Sequence, residues 1–205
     1  MFDYCHPIHL AAGDNNLAEV MALLQEDPEA LHVVDYIGCL ALHHACQYGH
    51  VETATYLLDH GSNINQPESL SLSMGRTPLY MACWKGHVRV VEMLLDRGAE
   101  PTICDDLGLT PLMVASSEGR VAVVRYLLNH HQASMATMDY QDEAGWTALG
   151  WACRKGRTEI MRMLLKAGAD TRLPPWGFTT RLYLIRSAGN SYEGIRLLEV
   201  SGVIG

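Results

Sequence analysis

Residues 75–101 read GRTPLYMACWKGHVRVVEMLLDRGAEP. Thr77-Pro78 is a helix start: the Thr hydroxyl can accept from free backbone N–H groups, and Pro fits the first helical position, where no N–H is needed. Leu79, Ala82 and Cys83 then share one helical face. Gly86 stands where this short helix must end with φ > 0. A second helix carries Val88, Val91, Leu94 and Leu95 on one side and closes at Gly98. Helices of about eight residues are not stable alone in water, so the unit needs neighbours.

The chain supplies them. The Leu-Leu pair recurs at Leu23, Leu57, Leu94, Leu127, Leu164 and Leu197, with separations of 34, 37, 33, 37 and 33 residues. The mid-unit turn residue gives Asn15, Gly49, Gly86, Gly119, Gly156 and Gly189, with the same five separations. The helix starts read His6-Pro7, Leu40-Ala41, Thr77-Pro78, Thr110-Pro111, Thr147-Ala148 and Thr180-Arg181. Three marks in one register over six copies define a repeat protein.

The segments LALHHACQYGHVETATYLLDHGSNIN (40–65), 76–101, LTPLMVASSEGRVAVVRYLLNHH (109–131) and WTALGWACRKGRTEIMRMLLKAGAD (146–170) resemble the ankyrin repeat family. The resemblance implies an all-α ankyrin-repeat solenoid, with helix-turn-helix units joined by β-turn or hairpin fingers. It covers essentially the whole chain, as one domain over 1–205 with repeats at about 6–38, 39–75, 76–108, 109–145, 146–176 and 177–205. It also implies an interaction module that binds a protein partner through the concave groove and the finger tips.

Composition sets further bounds. The 48% apolar content suffices for a shared core, and no apolar run approaches the length of a membrane span. The first residues lack a basic region followed by an apolar core, so a secretory signal is not expected. Cys46, Cys83 and Cys153 occupy one slot of three repeats and read as small buried residues rather than half-cystines; an intracellular location, cytoplasmic or nuclear, is expected. Charge is uneven: residues 1–75 hold ten Asp/Glu and no Lys or Arg, whereas 146–196 hold nine Lys/Arg and three Asp/Glu.

Departures from the pattern fall at three places. The finger before Gly75 is Ser-rich and lacks the Asp that stands three residues before Gly38, Gly108 and Gly145; an elongated, mobile finger is expected there. Repeat four has extra residues around 131–136. Repeat six ends on the apolar residues Leu184, Ile195, Val200, Val203 and Ile204 without a polar cap. A monomer is expected unless that end is left uncovered.

No catalytic signature is present: there is no G-x-S-x-G, P-loop or H-E-x-x-H, and no CxxC pair for zinc. No enzyme activity, metal or cofactor is expected. His43, His50 and His87 are assigned to satisfying backbone groups rather than to ligating a metal. Asn65 resembles the family's asparagine hydroxylation position, with Asn63 in place of the usual acidic residue.

The remaining positions carry the functional reading. In the family's geometry the two slots before each turn residue face the groove. Together with the finger tips they nominate Tyr36, Tyr48, Trp84, Lys85, Trp146, Arg154, Lys155 and Trp176 as partner contacts; Tyr, Trp and Arg dominate interface hot spots. An alternative is nucleotide or single-stranded nucleic-acid recognition, with Trp146, Trp176 and Phe178 stacking on bases and Arg154, Lys155, Arg157 and Arg186 on phosphates. The net charge of −8 disfavours it. A third reading is a targeting or scaffold segment of a larger protein.

Overall fold

The structure is a computed structural model that describes residues 6–69 and 74–173. Helices pair within each repeat: α1 (Pro7–Gly13) with α2 (Leu17–Glu26), α3 (Ala41–Tyr48) with α4 (Val51–Asp59), and α5 (Pro78–Lys85) with α6 (Val88–Asp96). Then come α7 (Pro111–Glu118), α8 (Val121–Asn129), α9 (His131–Thr137), α10 (Ala148–Arg154) and α11 (Thr158–Ala167). A 3-10 helix, Pro28–His32, follows α2. No strand is present among the described residues.

The chain groups into two compact units, 1–106 and 107–205. In the first, α1, α3 and α5 stack in order, and α2, α4 and α6 form a second layer. In the second, α7 packs on α10 and α8 on α11. The cores are the apolar faces read from the repeat: Leu42, Cys46, Leu57, Leu79, Cys83 and Leu94 in the first unit, Leu112, Leu127, Leu149, Cys153 and Ile160 in the second.

Local chemistry sets the helix ends. Thr77, Thr110 and Thr147 accept from the backbone N–H of Tyr80, Met113 and Gly150 at 3.2, 3.3 and 3.2 Å. Thr110 is fully buried, so Thr110→Ala leaves a buried N–H unpaired and should cost about 1 kcal/mol. An unchanged denaturant midpoint in that variant would refute this role. Asn15, at φ 57, takes the left-handed turn that glycine takes in later repeats.

A second device ties neighbouring repeats. The residue after the turn glycine reaches back to a carbonyl of the preceding repeat. His50 Nε2 donates to Gly13 O at 2.8 Å, His87 Nε2 to Gln47 O at 2.9 Å, and Arg157 Nε to Ser117 O at 3.0 Å. His9 and His43 do the same for the fingers, donating to Val33 O and Gln66 O, each at 2.9 Å. The backbone role assigned to His43, His50 and His87 is the one they perform, and His9 shares it.

Two of the irregular places take definite form. The extra residues of repeat four build α9, which packs on α8; His130 caps it, accepting from Ala133 N at 3.4 Å. In the finger before Gly75 a different carboxylate does the missing aspartate's work. Asp35 Oδ1 accepts from the N–H groups of Ile37 and Cys39, and Asp142 Oδ1 from those of Ala144 and Trp146. The equivalent N–H groups of Met74 and Arg76 point to Glu68 Oε2, at 3.2 and 3.4 Å. Glu68 is buried and also takes a forked pair from Arg76, Nε to Oε2 at 2.8 Å and a terminal N–H to Oε1 at 2.9 Å. Glu68 thus ties this finger to Met74 and Arg76; residues 70–73, on which the expectation of an elongated, mobile finger falls, lie outside the described part. Repeat six, with its apolar end, lies outside it as well.

Candidate partner-binding site

The aromatic and charged residues nominated from the sequence fall into two groups, one on each unit. On the first, Tyr36 projects from a finger with 67% of its surface exposed, and Tyr48, at the end of α3, is 53% exposed. Tyr48 lies 6.2 Å from the His50 ring, nearly parallel to it. A methyl group at Gly13 would meet the Tyr48 ring at 3.5 Å, so the absence of a side chain there keeps one side of the ring open. Leu10, Gly13, Asp14, His44 and Tyr48 line a cavity of about 500 Å³.

Trp84 and Lys85, at the end of α5, are half-buried. The Lys85 ammonium sits 4.0 Å from the centre of the Trp84 ring, and the Arg76 guanidinium lies 5.5 Å from it. Trp84 is therefore partly covered by its own cations, and Arg76 is committed to Glu68.

On the second unit, Trp146 is half-buried rather than a free finger tip, and its ring centre lies 5.5 Å from that of Trp151. Arg154 spans the pair, 5.0 Å from one indole and 5.1 Å from the other. Arg154 and Lys155 are exposed. Trp176, Phe178 and Arg186 lie outside the described residues.

Sequence reasoning passed over Trp151. Its indole N–H donates to Asp142 Oδ2 at 2.9 Å, as His44 Nε2 bonds Asp35 Oδ2 at 2.8 Å. In both repeats the partner stands nine residues after the finger aspartate, and that spacing was legible. Burial by itself raises the Asp35 carboxyl, but the hydrogen bonds from His44, Cys39 and Ile37 outweigh it and hold it below the usual range.

Asp35, Cys39 and His44 bring one possible ligand atom each within 4.8 Å of one another. Asp35 Oδ1 is engaged by the finger N–H groups and Oδ2 by His44, and the Cys39 thiol donates to Glu68 at 3.3 Å. Burial and the neighbouring Glu68 charge push that thiol up, away from the thiolate a metal needs. The trio serves the finger. Asn65 Oδ1 accepts from Glu100 N at 2.9 Å, which ties two successive repeats.

A family model described as ankyrin repeats (3 copies) matches residues 8–105 and 97–174. The chain belongs to the ankyrin repeat family. The fold is accordingly that of an all-α ankyrin-repeat solenoid. A crystal structure of an ankyrin repeat domain from Acinetobacter baumannii AYE superposes with a TM-score of 0.78 at 28% identity, covering 96% of this chain and 97% of that one. Among curated relatives, palmitoyltransferase AKR1 of Lachancea kluyveri is 28% identical over 163 residues, which is 80% of this chain and 22% of that protein. The probable E3 ubiquitin-protein ligase XBOS33 of Oryza sativa subsp. japonica is 38% identical over 73 residues, 36% of this chain and 13% of that one. The chain thus spans about a fifth or less of the curated relatives it matches. Ankyrin repeats generally serve as protein–protein interaction modules and are typically non-catalytic. No helix among the described residues is long and apolar enough to cross a membrane.

Proposed function

We propose that this ankyrin-repeat chain binds a protein partner through Tyr36, Tyr48, Trp84 and Lys85 on its first unit and through Trp146, Arg154 and Lys155 on its second. The observation that carries this reading is the exposure of Tyr48 beside the open cavity. A half-exposed phenol ring on a first helix does little for a core formed by the helix's other face, whereas rigid aromatic area at a cavity mouth suits an interface anchor. Short helices locked by inter-repeat hydrogen bonds present these groups with little ordering cost on association. Buried, unpaired Cys46, Cys83 and Cys153 support an intracellular setting.

Affinity purification from lysate with the wild type and Tyr48→Ala, read by mass spectrometry, tests the proposal. A partner recovered by the wild type should bind the variant more weakly by about 2 kcal/mol, with the thermal melt unchanged. Equal recovery by both proteins would remove the first-unit patch from the interface. Tyr48 is a cleaner probe than Trp84, whose half-buried indole also packs against Lys85 and Arg76. The nucleic-acid alternative draws no support from the described residues: of its stacking rings only Trp146 is among them, and Arg154 already lies over that ring.

A further inference from the structure

We infer that Trp146, Trp151 and Arg154 form a recognition site for carboxylate side chains, so that the second unit takes an acidic segment of its protein partner. The inference rests on the protein-binding reading above and names the chemistry of one of its contacts.

The site is built from the finger upward. Asp142 Oδ1 accepts from two backbone N–H groups of its own turn, and Oδ2 accepts from the indole N–H of Trp151. That hydrogen bond fixes the orientation of Trp151, and Trp146 lies against it with the rings 39° apart. Arg154, one helical turn after Trp151, lays its guanidinium across both rings at nearly equal distances. A cation over two indole faces is attracted to both, which restricts an otherwise mobile side chain. A contact with ring faces uses none of the guanidinium N–H groups, and Arg154 makes no side-chain hydrogen bond among the described residues.

Those N–H groups are available. Arg154 is exposed and makes no ion pair among the described residues. Asp142 lies in the same finger, but its carboxylate oxygens are already engaged. Lys155 and Arg157 stand beside Arg154 and are exposed, and the next acidic residue, Glu159, pairs with Arg125 at 3.3 Å. From Trp151 to Thr158 the chain has three cations and no carboxylate. The geometry therefore offers a preorganised fork, flanked by like charge, with its acceptor missing. A planar carboxylate accepts such a fork in two parallel hydrogen bonds. On the first unit the guanidinium that lies near Trp84, that of Arg76, lacks this property, because its fork is already closed on Glu68.

Displayed random peptides selected on the full chain, followed by titration of a synthetic copy of an enriched sequence, test the inference. Enriched sequences should be rich in Asp and Glu. Arg154→Gln should weaken the synthetic peptide about tenfold or more, with the thermal melt kept. Lys155→Gln, which removes the same charge without the fork, should weaken it only a few-fold. The peptide should also change the tryptophan fluorescence of the wild type, a readout that stands even if Arg154→Gln folds poorly.

Enriched peptides that are not acidic, or that bind Arg154→Gln as well as wild type, would overturn the carboxylate site and leave the protein-binding reading intact. Equal losses in the two variants would also overturn it, since a diffuse field would then suffice. Tighter binding of a single-stranded oligonucleotide than of any peptide would overturn both readings. Failure to enrich any peptide would remove the site and count against the module reading as well.

Discussion

Glu68→Ala is expected to destabilise the first unit by about 3 kcal/mol. The side chain of Glu68 is 0% exposed and that of Arg76 19%. Removing the carboxylate strands a largely buried guanidinium, two finger N–H groups and the Cys39 thiol together. Loss of one partner of a buried pair costs more than the pair contributes net, because the remaining charge has no counter-ion. Arg76 retains some access to water, which keeps the expected loss at the lower end of that class. Urea unfolding checks the magnitude, and a midpoint equal to that of wild type would show that the finger does not depend on Glu68. The Glu68→Ala/Arg76→Ala double variant should lose less than the sum of the two single losses.

Acid should expose the same cluster in two steps. Burial lowers His43 to about 4, against the opposing charge of Glu68 and the hydrogen bond to Gln66. The unfolded chain therefore takes up that proton first, between about pH 6.5 and 4, and stability declines across this window. Burial by itself raises Glu68, but the Arg76 hydrogen bonds, the Cys39 thiol and the Arg76 charge outweigh it and hold the carboxyl below its usual range. Its stabilisation is complete above about pH 4.3 and is lost as pH falls through the depressed folded value. Melting temperature against pH should show both declines in the wild type. Glu68→Ala should flatten the lower one and retain the upper.

Gly49→Ala is the second large effect, about 2–3 kcal/mol. Gly49 ends α3 at φ 85, where an L side chain costs roughly 1–2 kcal/mol. A methyl group there would also stand 2.6 Å from His87 Nδ1. That ring cannot swing aside freely, because its other nitrogen holds Gln47 O at 2.9 Å. Yielding to the methyl group costs this inter-repeat hydrogen bond, about 1 kcal/mol more. Gly61→Ala separates the two terms: Gly61 has φ +100 but no atom within 4 Å of a new methyl group, so only backbone strain should appear. Equal losses at the two positions, measured by chemical denaturation, would refute the clash with His87.

The ankyrin-repeat fold was legible because it is written locally and many times. A hydroxyl cap, a proline, an apolar face and a left-handed turn each act within one helical turn of their own residue, and six copies in register leave little ambiguity. Thr77, Asn15 and Cys83 could be placed without knowing what lay beside them. The same holds for Tyr36 and Tyr48, whose exposure follows from their slots.

Other features depended on groups distant along the chain. Glu68 replaces a missing aspartate because a longer side chain reaches the same two N–H groups from four residues earlier, through a loop whose path the repeat does not specify. Nothing in the repeat distinguishes Arg76 from Arg154, yet one is spent on a buried carboxylate and the other is spread across two indoles. The sequence by itself determined the units, their register and the faces they bury, since those follow from backbone sterics and periodic apolar burial. Only the tertiary structure decided which charges are paired within the fold and which are not, because pairing depends on ångström-scale distances between side chains that the period leaves free.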